Sequence, residues 1–129
     1  MLRMSFALLC LAASSGAAAQ TNWQAAPRVD VTLANFKFTP ATIHLHAGQP
    51  VVLHLVNTAG GGHDFSAPKF FASANVRPQD RAAIDQGSVE VGSHQSRDIA
   101  LVPTAGHYKL KCSHTMHKMF GMSGEIVVD

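Results

Sequence analysis

The sequence predicts an all-β fold, a Greek-key β-sandwich of about seven or eight strands with a short helical insertion near residues 69–86. Three observations predict it. Apolar and polar residues alternate over short runs, turn residues punctuate those runs, and almost no stretch carries a sustained helical period.

Val29, Val31 and Leu33 alternate with Asp30, Thr32 and Ala34, the pattern of a half-buried strand that Phe36 and Phe38 continue until Pro40 interrupts the ladder. Thr42 to Ala47 alternates again, with Ile43 and Leu45 on one face and His44 and His46 on the other. Gly48-Gln49-Pro50 is a turn signal, and Val51 to Val56 follows as a strongly apolar strand. A glycine-rich loop, Asn57 to Gly62, leads into His63-Asp64-Phe65. Pro68 to Gln86 mixes alanines with Asp80, Arg81 and Asp85 and supplies the helical turns. Strand patterning returns at Ser88–Val91, Arg97–Val102, Tyr108–Lys111 and Gly124–Val128.

The start of the chain reads differently. Arg3, the apolar run Phe6–Ala13 and the small residues Ala17-Ala18-Ala19 form the pattern of a secretory signal over residues 1–19, cut after Ala19. The run is shorter than the roughly 20 residues a membrane-spanning helix needs. Leu9 before Cys10 is bulky where a lipoprotein signal wants a small residue. The expected product is one exported domain over residues 20–129, with no stable membrane insertion after cleavage.

Its charges nearly cancel, nine Lys and Arg against eight Asp and Glu. No basic stripe suits nucleic acid, and the acidic groups are too scattered for a calcium loop. Gly60-Gly61-Gly62 is not followed by the Gly-Lys-Ser/Thr of a phosphate cradle. His63-Asp64 has no nucleophile motif beside it to make an acid–base site.

Cysteine usage is more informative. Cys10 leaves with the signal, so Cys112 is the one thiol of the exported domain. A lone thiol in an oxidising compartment is either an inert core residue or one occupied by something such as a metal. The surrounding segment, Cys112-Ser-His-Thr-Met-His117-Lys-Met-Phe-Gly-Met122, spaces a thiolate, an imidazole and a thioether as Cys-x4-His-x4-Met. That soft set suits copper rather than magnesium or calcium. Met116, Met119 and Met122 all fall in this loop, whereas core-filling methionines would be scattered through the strands. A second imidazole must come from elsewhere.

The run Gly106-x-Tyr108-x3-Cys112-x4-His117-x4-Met122-x-Gly124 resembles the C-terminal copper loop of the cupredoxins, the group of plastocyanin, pseudoazurin, azurin and rusticyanin. Phe38-Thr-Pro40, Gly48, Val51–Asn57 and the isolated His63 agree with it, so the resemblance spans residues of about 30 to 129. It implies one copper ion, with His63, Cys112 and His117 as equatorial ligands and Met122 as the weak axial one. It also implies a periplasmic carrier of single electrons rather than an enzyme, with a c-type cytochrome or a periplasmic oxidoreductase as partner. The binuclear copper domain of oxidases needs two cysteines in its loop. Met116, Met119 and Phe120 flank His117 and would form a docking patch.

A rival reading is a copper-handling protein that buffers or passes on Cu(I) to other copper proteins, with His114, Met116 and Met119 as accessory donors. The shifted set Cys112-His114-Met119 is set aside, because it places one residue between Cys and His and loses the register around Met122. Asp64 departs from the family, where Asn or Ser is common at that place. His44, His46 and His54 are either a second, surface metal site or polar residues facing solvent. His94 and His107 carry no motif.

Overall fold

The computed structural model describes residues 20–114 and 120–129. Among these residues, ten strands form two five-stranded sheets. The first sheet runs β2 (Lys37–Thr39), β1 (Arg28–Ala34), β4 (Val51–Asn57), β8 (Ser96–Val102) and β6 (Asn75–Val76). The second runs β3 (Thr42–Leu45), β10 (Ser123–Val128), β9 (Gly106–Lys111), β5 (His63–Ser66) and β7 (Ser88–Val91). Both sheets are mixed, because β1 lies parallel to β4 and β10 lies parallel to β3. The all-β sandwich expected from alternation is present. Its strand number exceeds the expected seven or eight because β2 and β6 are short pairing segments without a periodic signature.

The period of two explains the packing. In β4, Val51, Leu53, Leu55 and Asn57 are buried while Val52, His54 and Val56 between them are half-buried. Leu33, Leu53, Leu55, Ile99 and Leu101 from one sheet meet Ile43, Phe65, Val89, Leu110 and Ile126 from the other, each 0–1% exposed. Burying each such side chain is worth about 2–3 kcal/mol. Phe36 and Phe38 do not prolong β1. The chain turns at Asn35–Phe36 and β2 folds back antiparallel, pairing Leu33 with Phe38. This reversal keeps Phe38 in the core, where its ring meets Phe65 edge-on at 6.1 Å.

The helical insertion is a short helix α1 (Pro68–Ser73), then β6, then a 3₁₀ turn over Pro78–Ala83. Pro68 and Pro78 open these turns, positions where the missing N–H costs nothing. Phe70 and Phe71 of α1 continue the aromatic contact chain from Phe65, at 5.9 Å to Phe71 and 5.3 Å between the two. Gly87 lets the insertion close on β7. Its φ is +79°, and a Cβ there would lie 2.4 Å from Pro68 Cα. With the insertion in place, all four residues of β5 are buried.

Candidate metal centre

His63 opens β5 rather than ending a loop. Asn57, at the end of β4, sets its approach: its Nδ2 donates to Gly61 O at 2.8 Å and Val91 O at 2.9 Å, and its Oδ1 accepts from Ala59 N at 2.9 Å. One buried amide therefore ties the glycine-rich segment to β7. Below it, Phe65 anchors β5 in the core. Cys112 follows β9 directly, and its N–H donates to Met122 O at 3.1 Å, so the two ends of the 112–122 segment are pinned together. Cys112 is 0% exposed and Met122 1%.

These frames bring residues 49 apart in sequence into contact: His63 Nδ1 lies 3.8 Å from Cys112 Sγ. The opposite ring nitrogen, Nε2, donates to Asn35 Oδ1 at 3.0 Å. A neutral ring protonated at Nε2 keeps its lone pair on Nδ1, the nitrogen facing the sulfur. Asn35 thus sets the tautomer a ligand histidine requires. The bend that made β2 a hairpin is what places Asn35 there.

The sulfur has further partners. Asp64 N–H donates to it at 3.5 Å. Asp64 Oδ1 accepts from Ser113 N at 2.6 Å, and Oδ2 accepts from the Ser113 hydroxyl. Burial pushes the Cys112 thiol above its ordinary range, backbone N–H groups of Asp64 and His114 pull it back, and the Asp64 charge raises it again. A metal ion that displaces the thiol proton has to overcome that rise.

The side chains of His63 and Cys112 come together in the interior, and Met122, also buried, is tied to Cys112 through the backbone. His117, Met116 and Met119 lie outside the described residues, as does the segment 1–19. Phe120 is 62% exposed and stacks on Phe36 at 4.5 Å. His114 Nε2 donates to Glu90 Oε2 at 3.0 Å. The histidines at 44, 46 and 54 do not share a face. His44 is on β3 and His54 on β4, strands of different sheets, and His54 Nδ1 lies 2.5 Å from Asp98 Oδ1. Among the described residues, no cluster of metal donors includes any of the three.

Asn35, Asn57, Glu90 and Ser113 were not legible as site residues. Asn57 alone left a trace, as a polar residue falling on the buried phase of the β4 alternation.

A two-sheet sandwich with a buried thiol and an oriented imidazole at one end defines a class of metal-site scaffold. The chain belongs to the cupredoxin-like domain family, whose model matches residues 3–128. No curated protein matches the sequence. Several solved structures share the fold. Auracyanin B is 20% identical, with 89% of this chain and 95% of that chain covered at a TM-score of 0.58. Auracyanin A, a "blue" copper protein from the green thermophilic photosynthetic bacterium Chloroflexus aurantiacus, is 16% identical over 80% of this chain and 99% of that one, with a TM-score of 0.57. The McoA multicopper oxidase of the hyperthermophile Aquifex aeolicus is 17% identical, with 88% of this chain and 32% of that chain covered at a TM-score of 0.64. At these identities the likeness is one of fold.

Proposed function

We propose that this chain is an exported carrier of single electrons that holds one copper ion through His63, Cys112, His117 and Met122. The observation that carries the reading is the buried pair at 3.8 Å, Cys112 Sγ and His63 Nδ1, with the histidine tautomer set by Asn35. The residues fit the metal. A thiolate, imidazole nitrogen and thioether form the soft set that suits copper, and magnesium and calcium prefer oxygen.

Copper bound there supplies one-electron chemistry by alternating between Cu(II) and Cu(I). The protein's part is to hold the donors still. Cu(I) and Cu(II) favour different geometries, so a frame that neither state can rearrange keeps the reorganisation small. His63 is held by a fully buried strand, Cys112 by its hydrogen bond to Met122, and the junction between them by Asp64 and Ser113. Asp64 N–H, donating to the sulfur, stabilises the thiolate over the thiol. Phe120 with Phe36 presents an apolar surface next to the ligand loop, suited to a c-type cytochrome or a periplasmic oxidoreductase. The amino-terminal pattern over residues 1–19 supports export, and among the described residues no helix is long and apolar enough to cross a membrane.

A carrier is favoured over an enzyme because residues 20–129 contain one cysteine, too few for a binuclear oxidase loop. A second reading, copper handling, draws on one observation: Asp64, Cys112 and His114 place donor atoms within 4.8 Å of one another.

The oxidised, copper-loaded protein is expected to show an intense visible thiolate-to-copper band. Cys112→Ser should abolish it. A band that survives the substitution places the metal elsewhere and removes the proposal.

A further inference from the structure

Cys112 faces two sets of donors. On the core side stands His63. On the opposite side of β5, where Asp64 and Ser66 alternate with His63 and Phe65, stand Asp64 and His114. The donor atoms of Asp64, Cys112 and His114 all lie within 4.8 Å of one another. Ligands bonded at about 2.0–2.3 Å to a single ion stand roughly 3.5 Å apart, so a small contraction would let the three share one.

Three features mark this triad as more than a polar corner. Asp64 is 4% exposed, yet among the described residues no Lys or Arg forms an ion pair with it. A buried carboxylate beside a thiol that must ionise calls for positive charge, which a divalent ion supplies. Glu90 Oε2 accepts from His114 Nε2 at 3.0 Å, the carboxylate-behind-histidine arrangement that orients a ligand ring and raises its basicity. Finally, a cleft of about 380 Å³ lined by Asp85, Glu90 and Ser113 reaches one member of the triad, Asp64. Its carboxylates would draw cations toward Asp64.

We infer that Asp64, Cys112 and His114 form a second, outer donor set that receives a divalent copper ion from the cleft before His63 and His117 complete the inner set. The inference rests on the copper reading above, because Cys112 serves both sets. The carboxylate oxygen and the imidazole are the donors of this set that suit Cu(II), whereas the thiolate of Cys112 and the thioether of Met122 favour Cu(I). The proton leaving Sγ on binding passes to solvent, and no electron is transferred in capture.

Stopped-flow mixing of metal-free protein with Cu(II), followed by absorption, tests it. The wild type should show an early thiolate-to-copper band that differs from the final one. His114→Ala should slow formation of the final band at least tenfold while the band is still reached, and Glu90→Gln should slow it by a smaller factor. An unchanged rate with the final band intact overturns the outer set alone. Absence of the final band in the wild type overturns the copper reading instead. Co(II) titration of His63→Gly gives a check independent of the rates. A cobalt–thiolate band should persist there and vanish in His63→Gly/His114→Ala. A band indifferent to His114 overturns the inference.

Discussion

Asp80 and Asp64 are both buried carboxylates, 9% and 4% exposed, and they are satisfied in opposite ways. Asp80 sits in the insertion, where its Oδ2 accepts from Arg77 Nε at 2.7 Å and from Ala100 N at 2.9 Å. Arg77 N–H in turn donates to Ala100 O at 2.8 Å, so the charge pair fastens the 3₁₀ turn to β8. That carboxylate has its cation within the fold. Asp64 has hydrogen bonds from Ser113 but, among the described residues, no Lys or Arg partner, and it lies against the Cys112 sulfur. The difference separates a carboxylate neutralised by an arginine of the fold from one held by hydrogen bonds alone, which leaves its charge available to a metal ion. Burial alone would not have told them apart. The counter-charge does.

Three experiments would break or sharpen this contrast. The largest effect is expected from Asp80→Ala, which leaves the Arg77 guanidinium and the Ala100 N–H without their acceptor. It should cost about 3 kcal/mol of unfolding free energy in urea, with the copper spectrum of the folded protein unchanged. A spectral change there would dissolve the contrast.

Asp64→Asn should cost less stability, because the amide oxygen can still accept from Ser113. Its effect should appear in the reduction potential. Removing a negative charge near the metal disfavours Cu(II), so the potential should rise by on the order of 60 mV, a tenfold change in relative affinity. A potential that stays put or falls, measured by redox titration, would mean that Asp64 does not act through its charge.

The smallest effect concerns pH and the metal-free protein. The folded Cys112 thiol ionises above its ordinary range, chiefly through burial and in part through the Asp64 charge. The folded state therefore binds the thiol proton more tightly than the unfolded chain. The stability this confers is complete below the ordinary thiol pKa, near 8.5, and is lost as pH rises through it toward the folded value. Urea denaturation at several alkaline pH values should show a decline that Cys112→Ala lacks and Asp64→Asn reduces. Asp80→Asn should leave the decline as it is.

How much of this could be read from the sequence depended on how local each signal was. The strands announced themselves through alternation at Val51–Val56 and Val29–Leu33, because a sheet with one buried face imposes a period of two. Cys112 and Met122 stood out because soft donors crowd one short segment. His63 was legible through the family resemblance, since a lone histidine after glycines says little by itself. The reversal at Asn35 was not legible, because Phe36 and Phe38 keep the alternation of β1 while the chain doubles back. Asn35 reaches His63 across 28 residues and Asp64 reaches Ser113 across 49, and no periodicity reports such pairs. The same limit governs His44 and His54. They lie on consecutive strands, but the chain crosses from one sheet to the other between them.

The central claim is that one copper ion sits between residues that the chain keeps 49 positions apart. A crystal structure of the copper-loaded protein tests it most directly. One ion should lie within bonding distance of both Cys112 Sγ and His63 Nδ1. An ion bound to the sulfur but not to the His63 ring, or bound only at histidines on the sheet surface, would contradict the account.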